Sequence, residues 1–251
     1  MSIEAAIDLI SISNNILFIT GAGMSVDSGL PTYRGIGGLY DNEYTAEGMR
    51  IEEALSGTTL KKHPEICWKY MLQIGQACYN KKFNKGHKIL AEIEKKKPNT
   101  HIITQNVDGY HKDAGSQNVI EVHGNIHRLY CTKCKEKYTS NIYEVTFRFP
   151  PICTKCQGLV RPDVVLFGEY LSEGALKQLI KLEEEKKVDL VISIGTSSMF
   201  QYITRPIIMA KRNGIPTIEI NPGETDLSDI VDFKISSTAV VALDEIWHNI
   251  K

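Results

Sequence analysis

Four apolar residues in a row, Ile16-Leu17-Phe18-Ile19, lead through Thr20 into Gly21-Ala22-Gly23. A continuous apolar run that stops at glycines reads as a buried parallel strand entering a tight turn. Gly21 and Gly23 would let the backbone approach a ligand closely. A helix opening at Ser25 would point its free N–H groups at that ligand and favour a pyrophosphate. An ordinary strand–turn–helix corner has the same signature. The spacing also departs from Gly-x-Gly-x-x-Gly: counted from Gly21, the third glycine belongs where Val26 stands, and it appears at Gly29. The turn therefore has to be read with the rest of the chain.

The pattern recurs. Thr100 to Thr104 stops at Gln105-Asn106-Val107-Asp108-Gly109, and Val119 to Val122 stops at His123-Gly124-Asn125. Val188 to Ile194 ends in Gly195-Thr196-Ser197, and Thr217 to Ile220 ends in Asn221-Pro222-Gly223. Apolar stripes at helical spacing predict helices over 50–80, 83–97, Leu171 to Lys187 and Tyr202 to Arg212. Strands alternating with helices predict an α/β fold with a doubly wound parallel sheet and right-handed crossovers. Such sheets bind ligands just past the carboxyl ends of their strands, where these polar clusters fall. Pro162 to Glu169 is a further extended run able to offer a sheet edge.

Cys131-x-x-Cys134, eighteen residues, then Cys153-x-x-Cys156 is the two-knuckle spacing of a structural zinc site. Thiolates in a tetrahedral set suit Zn²⁺, and four of them leave no position for a substrate water. Cys67 and Cys78 fall outside the pattern and read as core thiols. Lys133, Lys135, Lys137, Arg148, Lys155 and Arg161 gather around the knuckles, as in a module that contacts phosphates. A net charge of −1 weighs against nucleic acid or a membrane surface as partner. Ile3, Ile7 and Ile10 sit at helical spacing among Glu4 and Asp8, which suits a docking helix better than a signal peptide. No segment approaches the roughly 20 apolar residues of a membrane span, so a cytoplasmic protein with reduced thiols is expected.

Taken in order, Gly21-Ala22-Gly23-x-Ser25, Gln105-Asn106-x-Asp108, His123-Gly124, the four-cysteine knuckles, Phe167-Gly168-Glu169, Gly195-Thr196-Ser197 and Asn221 resemble a sirtuin. Sirtuins are the silent-information-regulator family of protein deacylases that consume NAD. The resemblance runs over about residues 16 to 243 and includes Asn84-x-x-His87 and Asp108-x-x-His111. It implies a Rossmann-like NAD-binding domain from residues 1–35, 98–127 and 159–251. A helical insertion, 36–97, and the zinc-binding module, 128–158, would form the smaller domain.

The resemblance further implies where each ligand sits. The phosphates of NAD would lie near Gly21, Ala22, Gly23 and Ser25 and near Gly195, Thr196 and Ser197. Asp27 corresponds to the acidic residue after the turn, Tyr33 and Arg34 to the cofactor loop, Asn221 to the adenosine ribose, and the adenine contact falls around Ser237. Gln105, Asn106 and Asp108 would surround the nicotinamide ribose and carboxamide. Val165, Phe167 and Gly168, with Met199 to Gln201 opposite, would hold an acyl-lysine peptide as an added strand. In the family scheme the acyl oxygen attacks the sugar as nicotinamide leaves, and His123 is general base on a ribose hydroxyl. The products are free lysine and O-acyl-ADP-ribose.

The branch of the family that removes acidic acyl groups carries a Tyr-x-x-Arg pair, and here those positions are Met71 and Ile74. With no cation to meet a succinyl carboxylate, an apolar acyl group is expected, acetyl first. Tyr33 replaces a customary phenylalanine, and Tyr202 stands where a proline is common. Two other reactions compete. A nicotinamide-dependent dehydrogenase would want the full glycine pattern and an acidic residue about 20 positions on. Mono-ADP-ribosyl transfer would use the same fold with another nucleophile.

Overall fold

The computed structural model describes residues 2–32, 44–79, 81–139, 149–185 and 187–250. Tyr33, Arg34, the remainder of the expected cofactor loop and Arg148 lie outside them.

Six parallel strands form one sheet: Ile16–Thr20 (β1), His101–Thr104 (β2), Val119–Glu121 (β3), Leu190–Ile194 (β7), Thr217–Ile220 (β8) and Phe233–Ile235 (β9). Their order is β3-β2-β1-β7-β8-β9, the doubly wound order in which the direction of winding reverses between β1 and β7. All five residues of β1 are buried, and alternate ones face opposite cores. Ile16 and Phe18 meet the helices Ser2–Ile12 (α1), Lys85–Lys96 (α5) and Ala239–Ile250 (α9). Leu17 and Ile19 meet Glu173–Glu185 (α7) and Gln201–Arg212 (α8). Burial on both faces is why β1 reads as an unbroken apolar run.

A second core lies outside this sheet. Ile51–Ala54 (α2), Gly57–Lys62 (α3) and Pro64–Tyr79 (α4) pack with an antiparallel sheet of Gly124–Cys131 (β4), Lys137–Thr139 (β5) and Val160–Val164 (β6). The helical stretch expected over 50–80 is thus three helices. Ser56 caps α3 by accepting from the Thr59 N–H at 3.0 Å, and Pro64 opens α4, where its missing N–H costs nothing. The expected domain limits also cut this sheet: 127/128 falls inside β4, and residues 160–164 join the small sheet as β6. The extended run expected over Pro162 to Glu169 is strand only as far as Val164. Tyr110–Asp113 (α6) completes the helices among the described residues. Among the described residues, no helix is long and apolar enough to cross a membrane.

The glycine turn does not open an α-helix at Ser25. Ala22–Ser28 is a 3₁₀ turn closed by Gly29, which takes the left-handed conformation (φ 79°) and ends the turn. The glycines after β1 and β7 serve first to bring two loops together. The Gly23 N–H donates to the Gly195 carbonyl at 2.8 Å. A Cβ on Gly23 would lie 2.6 Å from the Gly195 Cα, and one on Gly21 would lie 2.7 Å from the Thr196 Cα. Gly195 itself has φ +57°, a conformation that suits glycine. Gly23→Ala must therefore push the β1 and β7 loops apart, at a cost of about 1–3 kcal/mol. Urea denaturation should show a lower midpoint for this variant, and an unchanged midpoint would show that the contact is not tight.

Candidate active site

The carboxyl ends of β1, β2, β3 and β7 meet at the reversal point. Asn106, after β2, donates through Nδ2 to the Gly21 carbonyl at 2.9 Å and to Ser25 Oγ at 3.2 Å. Ser25 donates to Asp108 Oδ2 at 2.7 Å, and the Tyr110 N–H donates to Asp108 Oδ1 at 3.0 Å. Burial raises the Asp108 carboxyl above its usual range, against these donors, which act to lower it. Ala22, Ser25, Leu30, Ile74, Asn106 and Asp108 line a small cavity beside this network.

Gln105 joins the two halves of the sheet. Its side chain donates to Thr196 Oγ1 at 2.6 Å, while its carbonyl oxygen lies 3.0 Å from His123 Nδ1. A carbonyl only accepts, so Nδ1 carries the hydrogen and Nε2 is the basic nitrogen. Burial pulls the His123 pKa below its ordinary value, opposed by the bond to Gln105. Nε2 in turn accepts the Tyr202 hydroxyl at 2.6 Å. Gly124, directly after His123, has φ +82° and lies so close to β6 that a Cβ would fall 1.9 Å from the Asp163 carbonyl oxygen. Only glycine fits there, which fixes the turn that carries the histidine.

Asn221, after β8, donates to the Thr196 carbonyl at 3.1 Å and so joins the same edge. Ser197 is exposed beside it, Asp27 is exposed on the 3₁₀ turn, and Ser237 follows β9 two strands from β7. His87 and His111 lie behind the site, with ring centres 4.8 Å apart. His111 meets Thr20 Oγ1 at 2.9 Å, and burial lowers both histidine pKa values far enough to keep the rings neutral.

The run from Val165 to Gly168 is more occupied than an open sheet edge. Phe167 donates its N–H to the Leu55 carbonyl and accepts from the Gly57 N–H, both at 3.0 Å. The Val165 N–H donates to the His123 carbonyl at 2.9 Å. Gly168 stands at the tip of the following turn, where a Cβ would meet nothing within 4 Å. Arg161 and Glu169 hold this turn from beneath. The guanidinium donates to both carboxylate oxygens, at 2.6 and 2.9 Å, and the Leu166 N–H donates to Glu169 Oε2 at 3.0 Å. Burial pushes the Glu169 carboxyl up, but these donors outweigh it and leave its pKa below the usual range. Neither the Arg161–Glu169 pair nor the Tyr202–His123 bond is visible in local sequence pattern. The second spans 79 positions.

The four knuckle sulfurs lie within 4.8 Å of one another. The N–H groups of Lys133 and Cys134 point at Cys131 Sγ from 3.4 and 3.5 Å, and the Tyr138 hydroxyl donates to Cys153 Sγ at 3.0 Å. A compact set of four sulfurs surrounded by donors fits a tetrahedral thiolate-bound metal.

Three comparisons bear on this arrangement. The model of the Sir2 family matches residues 21–201. An NAD-dependent protein deacylase 2 of Pseudomonas aeruginosa is 44% identical over 240 residues, covering 95% of this chain and 93% of that protein. An NAD-dependent protein deacylase of Aquifex aeolicus is 39% identical, covering 93% of this chain and 94% of its own. Among solved structures, a Sir2 homologue–NAD complex superposes with a TM-score of 0.85 at 35% identity, covering 98% of this chain and 93% of that one. A Sir2 variant with a deacetylated peptide and 3'-O-acetyl ADP-ribose gives 0.87 at 31% identity, covering 99% and 98%.

Replacing Glu169 by Ala leaves the buried Arg161 charge unpaired, and loss of one partner of such a pair costs about 3 kcal/mol. Since the folded carboxyl pKa is depressed, this stability is present above the unfolded value near 4.3. It is lost as pH falls through the folded one. Denaturation at pH 7 should show the loss in Glu169→Ala, and the gap to wild type should narrow below about pH 4. A gap that stayed constant with pH would contradict the assignment.

Proposed function

The chain belongs to the Sir2 family, and we propose that it works as an NAD-dependent protein deacylase on acyl-lysine peptides. The observation that carries this reading is the double role of Gln105. One residue ties the Thr196 loop to the β2 end while its carbonyl sets which nitrogen of His123 is basic. A nucleotide laid across the β1 and β7 loops therefore meets a base already oriented.

NAD is a substrate in this reaction, and the chain's own residues divide the work. Its phosphates lie along Gly21, Ala22, Gly23, Ser25, Gly195, Thr196 and Ser197. The N–H groups of Gly21, Gly23 and Gly195 are spent on the Ile194, Gly195 and Ile220 carbonyls, so these glycines contribute close backbone approach rather than donors. Asn221 takes the adenosine ribose. Asp27, Ser237 and the undescribed Tyr33 and Arg34 complete the assignment by resemblance. Asn106 and Asp108, beside the small cavity, hold the carboxamide, and the cavity keeps water from the sugar carbon being attacked. His123 receives the proton of a ribose hydroxyl, and the Gln105 carbonyl supports the charge that forms on the ring. The peptide docks at Val165, Phe167 and Gly168. Because Phe167 has spent its main chain on Leu55 and Gly57, pairing falls to Gly168 and the Phe167 side chain adds apolar contact.

Cys131, Cys134, Cys153 and Cys156 would hold one structural Zn²⁺, which when bound ties the two knuckles of the small sheet together. None of the six cysteines is in a disulfide, in keeping with a reducing compartment such as the cytoplasm. Met71 and Ile74 are both buried on α4, and Ile74 lines the small cavity. Neither offers a charge to an acidic acyl group, so acetyl is preferred.

Incubation with NAD and matched acetyl- and succinyl-lysine peptides tests this. Wild type should remove acetyl only when NAD is present, and at least ten times faster than succinyl. His123→Ala should lose at least 100-fold, the scale of a general base. No NAD-dependent loss of acetyl, or full activity in His123→Ala, would overturn the reading. Faster desuccinylation would overturn the acyl assignment alone.

A further inference from the structure

Both ring nitrogens of His123 are bonded within the protein. Nδ1 donates to the Gln105 carbonyl at 3.0 Å, and Nε2 accepts the Tyr202 hydroxyl at 2.6 Å. An imidazole nitrogen has one lone pair in the ring plane. No substrate hydroxyl can use it while Tyr202 is in place.

Tyr202 is not loosely placed. It is the second residue of α8, followed by the fully buried Ile203, and it packs against the core on that face of the sheet. Its ring stacks on Phe200, with centroids 5.4 Å apart and planes 14° apart, and meets His123 edge-on at 5.9 Å. Withdrawing the hydroxyl would break this stack or displace the start of the helix. The phenol oxygen, by contrast, keeps lone pairs that can accept a second hydrogen bond without any movement.

We propose that Tyr202 is a catalytic residue of this chain, relaying the proton of a ribose hydroxyl of NAD to His123 Nε2. The proposal rests on the deacylase reading and adds a step to it. The ribose O–H bond breaks and its proton passes to Tyr202 Oη. The proton already on Oη passes to His123 Nε2, and the freed ribose oxygen bonds to the acyl carbon as that carbon's π bond to the lysine nitrogen breaks, its electron pair moving onto the nitrogen. Tyr202 ends as it began, a neutral phenol, and the single positive charge rests on His123 against the Gln105 carbonyl. Burial raises the Tyr202 pKa to about 12, so the phenolate does not accumulate and the two transfers go together. No oxidant, reductant or further reactant is required.

The relay acts after nicotinamide has left, so it separates two measurable reactions. With NAD, an acetyl-lysine peptide and labelled nicotinamide, Tyr202→Phe keeps the ring and its stack but removes the bridging oxygen. It should lower deacetylation at least tenfold while exchange of nicotinamide into NAD stays within twofold of wild type. Retained exchange also shows that the variant is folded. The double variant with His123→Ala should deacetylate no more slowly than His123→Ala alone, since the two act in series. Deacetylation by Tyr202→Phe at the wild-type rate or faster would overturn the relay and make Tyr202 a cover over the base. An equal fall in both reactions would also overturn it and leave the hydroxyl a structural role. Absence of both reactions in wild type would instead overturn the deacylase reading, and the relay with it.

Discussion

The site depends on one close contact, the β1 loop lying against the β7 loop where the sheet reverses direction. No side chain fits between Gly23 and Gly195, and the Gly23 N–H is spent on the Gly195 carbonyl. The contact sets the distance between the two halves of the nucleotide crevice. Asn106 then reaches Gly21 from β2, and Gln105 reaches Thr196, so the polar loops are fixed relative to one another before any ligand arrives. Preorganisation of this kind removes reorganisation from the chemical step.

The sheet was legible because its central strands β1 and β7 are buried throughout and read as near-continuous apolar runs. The same physics hid what lies outside it. Strand β4, Gly-Asn-Ile-His-Arg-Leu-Tyr-Cys, mixes apolar and charged residues because it belongs to a small three-stranded sheet. Strand β9 is three residues long, too short for any period to show. Over 50–80 the apolar stripes from Ile51 and from Ile66 showed helix but not its limits, which are set by the cap at Ser56 and the restart at Pro64. In the site, Gly21, Gln105, His123 and Gly195 were legible as punctuation after strands. The reason for the glycines was not: the sequence suggested room for a ligand, and the fold uses them for loop-to-loop contact.

Long-range contacts account for the rest. Phe167 looked like an open edge until Leu55 and Gly57, over a hundred positions earlier, were found gripping its main chain. Glu169 read as the last residue of a motif, yet it is the counter-charge of a buried arginine. Together these bonds make the turn at Gly168 an extension of the second core. The turn is thus bonded both to the α2–α3 segment, through Phe167, and to β6, through Arg161.

The central claim is that this crevice joins cleavage of NAD to transfer of an acyl group onto its sugar. Mass spectrometry of a complete reaction with NAD and one acetyl-lysine peptide measures that coupling directly. The account predicts one nicotinamide and one O-acetyl-ADP-ribose for every lysine freed. Nicotinamide released with ADP-ribose attached to the protein or peptide, and the acetyl group still in place, would contradict it.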